Sequence, residues 1–119
     1  MGIKVVESDH IDYSGAAVSN NERAIIVVNS AESWRRQRFT VAHEIGHLIL
    51  HPLGVKWRDE TFVGTKAEAQ ANGYAAGLLM PFYLLESQFT VYGPNIGLLS
   101  DVFAVSTQAM SYRLDKMLG

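Results

Sequence analysis

The sequence predicts an α+β fold in which a small N-terminal β-sheet packs on several helices. Two observations carry this prediction. Short segments rich in β-branched residues are confined to roughly the first 30 residues, whereas apolar residues recur at spacings of three and four from about Ser33 onward. At 119 residues, with 48% hydrophobic and 18% charged residues, the chain is expected to form a single domain over 1–119.

The N-terminal sheet is predicted from three segments. Ile3–Glu7 and Ala24–Asn29 are short, β-branched and bounded by polar residues, as strands are. Gly15–Val18 is followed by the polar turn Ser19–Glu22, so it is expected to form a hairpin with Ala24–Asn29. We further expect Ala24–Asn29 to be an edge strand that an extended peptide can pair with.

The helical part is expected to begin near Ser33, with Ser30 or Ser33 as the N-cap, and its first helix to end before Pro52. A second, alanine-rich helix is predicted over Lys66–Met80, because Pro81 follows it. The segment Val55–Thr65 between them has mixed polarity and is predicted to be a loop. Three further helices are predicted over Phe82–Val91, Leu98–Ala104 and Thr107–Leu118, with Ser106 as an N-cap and Gly93-Pro94 as a break.

Composition restricts the possible functions. The chain contains no cysteine, so any metal must be held by histidine and carboxylate side chains. A formal net charge of −2 gives no general attraction to phosphate backbones or anionic membranes, so neither nucleic acid nor membrane is expected as a direct partner. No apolar run resembles a signal peptide or a membrane span, which predicts a cytoplasmic location. The oligomeric state is left open.

The most informative motif is His43-Glu44-Ile45-Gly46-His47, two histidines four residues apart within the first predicted helix. Residues i and i+4 lie about 40° apart around a helix, so both imidazoles face the same way and can hold one metal ion. This spacing, with a glutamate directly after the first histidine, indicates a zinc hydrolase. A catalytic zinc ion takes a third protein ligand and leaves the fourth position for water.

The third ligand is expected to be acidic. His51 continues the four-residue spacing, but it lies about 12 Å along the axis from His43, too far for one ion. Glu68 is preferred because Asn72 follows it by one helical turn, where its amide can accept a hydrogen bond from a ligating histidine. Glu60 is the second candidate.

The two helices together resemble the ImmA/IrrE family of metallopeptidases. Arg38–His51 and Glu68–Pro81 match, in order and spacing, the family's patterns FTxAHExGHxxxH, ExxAN followed by an aromatic residue and alanine, and LLMP. Phe103–Gly119 resembles the family's closing segment. Two positions depart from the family pattern, because Gln70 and Gly77 stand where acidic residues are common. Neither is a proposed ligand, so the departures bear on local electrostatics or substrate preference.

This resemblance implies a minimal zincin-like domain of the thermolysin type, with His43, His47 and Glu68 as metal ligands and Glu44 as the catalytic carboxylate. The expected metal is Zn²⁺, with Mn²⁺ as the alternative. The expected function is that of an endopeptidase that cleaves a helix-turn-helix repressor and so derepresses stress or mobile-element genes. The auxiliary donor to the oxyanion is left open among His10, Tyr13, His51, Tyr83 and Tyr92.

Two other functions compete with this interpretation. The chain can be a metal-binding regulatory or toxin-like protein that acts by contact without proteolysis. It can also be a DNA-binding module, because 98–104 and 107–118 imitate a helix-turn-helix. The second of these helices has only Arg113 and Lys116 as cations, balanced by Asp115, which disfavours binding to DNA.

Overall fold

The computed structural model describes residues 2–20, 22–51, 57–58 and 65–119. Within these ranges the α+β prediction is confirmed by a sheet followed by helices. The strands are β1 (Gly2–Ser8), β2 (Gly15–Ser19), β3 (Arg23–Asn29) and β4 (Trp57–Arg58). The helices are α1 (Trp34–Leu50), α2 (Thr65–Leu79), α3 (Phe82–Tyr92), α4 (Ile96–Phe103) and α5 (Thr107–Leu118).

The sheet has the strand order β1-β3-β2-β4. Strand β3 is antiparallel to β2, with Ala17 opposite Ile26, so the predicted hairpin is confirmed. It is also parallel to β1, with Ile3 opposite Ala24. The prediction that this segment is a free edge strand is therefore wrong, because its backbone groups are paired on both sides.

Strand β4 corrects a second expectation. Trp57 and Arg58 belong to the predicted loop, but they pair with Ala17 and Ala16 of β2. Two residues give no alternating pattern, so this pairing depends on backbone hydrogen bonds that sequence periodicity does not report. Apart from these two residues and Thr65, which opens α2, the predicted loop falls outside the described residues.

Helix α1 begins at the second of the two predicted caps, because the side chain of Ser33 accepts a hydrogen bond of 3.2 Å from the backbone N–H of Arg36. It ends at Leu50, and His51 follows in an extended conformation while its N–H donates to the carbonyl of His47. The helix packs on β2 and β3. Its buried polar residues are Thr40, His43, Glu44 and His47.

The chain forms two compact units, Met1–Ala75 and Ala76–Gly119. The first contains the sheet, α1 and most of α2. The second has an apolar core contributed by the end of α2 and by the helices that follow it. Whether the two make a single domain over 1–119 stays a prediction. The buried core residues of the second unit are Ala76, Met80, Leu85, Leu99, Val105, Met110 and Leu114.

The turn between α4 and α5 is tight. Ala104 ends α4 in the left-handed conformation, with φ of 54°, and Ser106 caps α5 through a hydrogen bond from the N–H of Ala109. Arg113 on α5 is buried, and its Nε donates to the carbonyl of Met80 at 2.9 Å. In the part of the chain that the structure describes, no helix has the length and apolar character needed to cross a membrane.

Candidate metal centre

Three side chains from two helices of the first unit converge on one point. Helix α1 presents His43 and His47, and the first turn of α2 presents Glu68. The Nε2 atoms of the two histidines are 3.1 Å apart. One oxygen of Glu68 lies 3.0 Å from Nε2 of His43, and its other oxygen lies 3.0 Å from Nε2 of His47. The structure thus brings together the three residues that the sequence singled out.

This donor set has the geometry of a metal site. Ligand atoms bound at ~2 Å to one tetrahedral ion are about 3.3 Å from one another. The observed separations of 3.0 and 3.1 Å are close to that value. Two imidazoles and one carboxylate are donors that suit zinc and also manganese. These residues can therefore hold a metal ion.

The remaining ring nitrogen of His43 is held by α2. Its Nδ1 lies 2.7 Å from Oδ1 of Asn72, one helical turn after Glu68. A carbonyl oxygen only accepts hydrogen bonds, so Nδ1 of His43 carries the proton and donates it. The lone pair of His43 is then on Nε2, directed at Glu68 and His47. This contact is the one expected from the Glu-x-x-x-Asn spacing.

His47 is fully buried, and its Nδ1 lies 2.9 Å from Nδ1 of His51. Burial, together with smaller contributions from the nearby His43 and His51, lowers the pKa of His47 from 6.5 to about 3. A neutral imidazole is the form that binds a metal, so the folded chain keeps His47 in that form at neutral pH. His51 is not a member of the convergent set, in agreement with its predicted distance along α1.

Glu44 lies beside the cluster. It is fully buried, and its Oε2 is 3.9 Å from Nε2 of His43. Its Cγ would be 3.6 Å from a Cβ at Gly15 on β2, so the side chain lies under the sheet. A carboxylate in this position can exchange protons with a water or an amine at the cluster without being a ligand itself.

Gly46 explains how the two helices come close enough to share a site. A Cβ at this position would lie 3.1 Å from Cβ of Tyr74 and 3.2 Å from Cα of Ala71, which are both on α2. These distances are shorter than ordinary van der Waals contacts, so only glycine fits without a shift. The close approach at Gly46 brings the first turn of α2, with Glu68, against the histidines of α1.

A cavity of about 110 Å³ lies next to the cluster. Two of its lining residues, Arg36 and Thr40, were not singled out from the sequence. They precede His43 by seven and three residues, a spacing that places all three on one face of α1 and that could have identified them. The full lining is Arg36, Phe39, Thr40, His43, Glu68 and Asn72.

The other residues considered from the sequence have different positions. Glu60 lies outside the described residues. Among the candidates for the auxiliary donor, His10 is exposed and pairs with Asp9 at 3.1 Å. His51 contacts a histidine of the cluster, whereas Tyr83 and Tyr92 belong to the second unit.

Comparison with known proteins identifies the family. The model of the family Peptidase M78, described as the IrrE N-terminal-like domain, matches residues 1–115. The radiation response metalloprotease IrrE of Deinococcus deserti is 38% identical over 81 residues, which are 62% of this chain and 28% of that protein. The protein of the same name from Deinococcus radiodurans is 36% identical over 80 residues, 62% of this chain and 24% of that protein.

The chain therefore matches about a quarter of the length of these relatives. The family model, in contrast, covers nearly the whole chain. The match includes both helices that carry the convergent side chains. The chain belongs to the Peptidase M78 family of metallopeptidases, as an IrrE N-terminal-like domain, which confirms the family predicted from its motifs.

Proposed function

We propose that this chain is a zinc-dependent endopeptidase, with His43, His47 and Glu68 as metal ligands and Glu44 as the general base. The observation that carries the proposal is the convergence of three ligand atoms within 4.8 Å of one another, with a buried carboxylate beside them. Family membership and the metalloprotease names of both relatives support it.

The chemistry assigned to the residues is hydrolysis of a peptide bond. When bound, zinc supplies Lewis-acid chemistry, lowering the pKa of water toward about 7 and polarising a carbonyl. Glu44 takes one proton from the attacking water as its oxygen bonds to the carbonyl carbon. Glu44 then returns that proton to the amine nitrogen as the carbon–nitrogen bond breaks. Asn72 keeps His43 in the tautomer that a ligand needs.

The cavity gives the substrate a place beside the ligands. Its lining includes Arg36 and Thr40, whose side chains carry N–H and O–H groups, next to His43. A peptide carbonyl placed in the cavity would therefore lie near these side chains as well as near the ligand cluster. We propose these two side chains, rather than the residues considered from the sequence, as the polar contacts of the substrate.

We propose a helix-turn-helix repressor as the substrate, in a cytoplasmic setting, so that cleavage derepresses stress or mobile-element genes. The resemblance to the ImmA/IrrE family supports this, as does the phrase "radiation response" in the names of the two relatives. The test uses a small helix-turn-helix repressor encoded beside this protein. The repressor is incubated with the protein and zinc and its products are weighed by mass spectrometry, with manganese as a parallel arm.

Binding to DNA is not favoured by the structure. Arg113, one of two cations on the would-be recognition helix, is buried, donates to the carbonyl of Met80 and lies 3.5 Å from the centre of the Phe82 ring. A side chain used in this way is not available to a phosphate or a base edge. A gel shift with arbitrary duplex DNA at moderate salt is expected to show no complex.

The metal assignment is tested by metal content. We expect one zinc ion per chain, lost in His43→Ala, His47→Ala and Glu68→Ala and retained in Glu44→Gln. Glu44→Gln should lower the cleavage rate by about 10² to 10⁴-fold, because only proton transfer is removed. His10→Ala is the matched control, since this exposed histidine is not in the cluster.

Three results would overturn parts of this proposal. Zinc content unchanged in Glu68→Ala would reassign the third ligand, and Glu60 would be tested next. Full cleavage by Glu44→Gln would remove the general-base assignment. If wild type and Glu44→Gln both relieve repression without any cleaved product, the protein acts by contact instead.

A further inference from the structure

The two histidines of the cluster differ in what holds their second ring nitrogen. Nδ1 of His43 contacts the amide oxygen of Asn72 directly. Nδ1 of His47 contacts a second imidazole, with 2.9 Å to Nδ1 of His51. Nε2 of His51 in turn lies 3.1 Å from Oε1 of Gln70 on α2. Three side chains therefore form a hydrogen-bonded series that leads away from the cluster.

The pairing of donors with acceptors determines where the protons lie in this series. A contact between two ring nitrogens needs one donor and one acceptor. If Nε2 of His47 offers its lone pair to the cluster, its proton is on Nδ1 and is donated to Nδ1 of His51. Nδ1 of His51 is then an acceptor, so the proton of that ring is on Nε2 and is donated to the amide oxygen of Gln70.

We propose that His51 and Gln70 are positioning residues that hold His47 in the tautomer with the proton on Nδ1 and the lone pair of Nε2 directed at the cluster. This inference rests on the proposed function, because it concerns the metal site of the same peptidase. It also gives His51 a role in the family pattern HExxHxxxH, although its distance along α1 excludes it as a ligand.

The position of His47 makes such support necessary. The side chain is fully buried, so no bulk solvent is available to accept its Nδ1 proton. A buried N–H without an acceptor is strongly unfavourable, because it has lost its hydrogen bond to water and gained none in return. The alternative tautomer would put the proton on Nε2, facing the carboxylate of Glu68 at 3.0 Å, where it would compete with a metal ion. His51 supplies the acceptor that favours the useful tautomer.

The same contacts would also exist if His51 merely fastened the end of α1 to α2. The two roles differ in what a substitution can restore. A structural role requires a side chain of similar shape, whereas a positioning role requires an acceptor at the place of Nδ1. Asparagine places its side-chain oxygen near that atom and leucine fills a similar volume without any acceptor. His51→Asn and His51→Leu are therefore a matched pair.

The experiment measures zinc affinity by competition with a chelator, and the tautomer of His47 in the metal-free protein by ¹⁵N NMR of its ring. His51→Leu is expected to weaken zinc binding by about 10 to 100-fold, the usual effect of losing the partner of a ligating histidine. It should also shift His47 toward a mixture of tautomers. His51→Asn should restore both quantities to near the wild-type values.

Gln70 provides a milder, independent test because it is exposed and its substitution is expected to leave the fold intact. Gln70→Leu removes the acceptor for His51 and should weaken zinc binding less than His51→Leu does. Gln70→Glu supplies a charged acceptor and should bind zinc at least as tightly as the wild type. His10→Leu, which removes an exposed histidine, should change neither affinity nor tautomer.

The proposal is overturned if His51→Leu and Gln70→Leu both bind zinc as the wild type does, or if His51→Asn is as weak as His51→Leu. If His51→Leu does not fold, Gln70→Leu decides. These measurements need no substrate, so they separate this inference from the proposed function. A wild type that cleaves normally with unchanged affinities in the series refutes the positioning role alone. If the zinc affinities of the variants change as expected but the wild type cleaves no substrate, the endopeptidase function is refuted and the positioning role stands.

Discussion

The first unit buries ionisable side chains next to apolar ones such as Ile26, whereas the buried hydrophobic cluster of the second unit is apolar throughout. The first buries His43, Glu44 and His47 in a helix that packs on a sheet. The second buries large apolar side chains, such as Leu85 and Leu99. Removal of an ionisable group from water is unfavourable unless partners compensate for it, whereas burial of an aliphatic side chain is favourable. The first interior thus includes ionisable groups whose burial needs partners, whereas the apolar cluster of the second is stabilising by itself.

Small residues in the first unit allow α1 and α2 to pack closely. Ala71 is buried beside Gly46, where α1 and α2 approach closely, and Ala42 and Ala75 on the same two helices are buried as well. Such residues bury little apolar area and so contribute little stability, since each Å² removed from water contributes about 25 cal/mol. They allow two backbones to come together so that polar side chains from both helices meet.

The largest effect on stability is expected in the second unit. Leu99 is fully buried, so Leu99→Ala should lower the free energy of unfolding by about 2–5 kcal/mol. The neighbouring Leu98 is 43% exposed, and Leu98→Ala should change it by no more than about 0.5 kcal/mol. Both are measured by urea denaturation of the metal-free protein. Equal effects of the two substitutions would contradict the assignment of this core.

The pH dependence of the free energy of unfolding tests the buried ionisable groups of the first unit. Burial lowers the pKa of His47 to about 3, so unfolding takes up a proton at pH values between about 3 and 6.5. The unfolded state then binds more protons than the folded state. The free energy of unfolding of the metal-free protein should therefore fall as the pH drops from 6.5 toward 3, by at most about 1.4 kcal/mol per pH unit from this group.

The control for this pH dependence is His47→Gln, which removes the titrating group. Its free energy of unfolding should depend less steeply on pH over the same range, because one source of proton uptake is gone. Urea denaturation at a series of pH values measures both slopes. Identical slopes for the two proteins would show that His47 does not remain neutral in the folded state.

The smallest effect concerns the helix contact at Gly46. Gly46→Ala adds a methyl group 3.2 Å from Cα of Ala71, a backbone atom, and overpacking of this kind costs about 1–3 kcal/mol. The gain of up to about 1 kcal/mol in helix propensity offsets part of that cost. Gly73→Ala on α2 meets no atom within 4 Å and should raise stability through propensity alone. In thermal unfolding, Gly46→Ala is therefore expected to lower the midpoint temperature and Gly73→Ala to raise it. Shifts of the same sign would contradict the close approach of the two helices at Gly46.

Several local features could be predicted because they depend on neighbours in sequence. Ser33 and Ser106 cap their helices as expected, since a hydroxyl before a helix satisfies a backbone N–H three residues later. The hairpin of β2 and β3 follows from a polar turn between two short segments. The pairing of His43 with Asn72 could also be predicted from the sequence, because each residue is one helical turn from another member of the cluster.

Other features depended on chain segments that are distant in sequence. The position of β3 inside the sheet required its parallel pairing with β1, which no local pattern reports. The contact of His51 with Gln70 joins residues 19 positions apart, and the cavity depends on how α2 lies against α1. Helical periodicity could have pointed to Arg36 and Thr40, but only the packing shows that they line a cavity.

The α+β class, the family and the three side chains of the cluster can be predicted from the order of residues, because each is encoded in spacing along a helix or in a compound motif. How those side chains meet depends on the packing of distant segments. Their convergence requires α1 and α2 to approach at Gly46, and the histidine partners depend on that approach. Side-chain distances of 3 Å between different helices are set by packing, which no single segment of the sequence specifies.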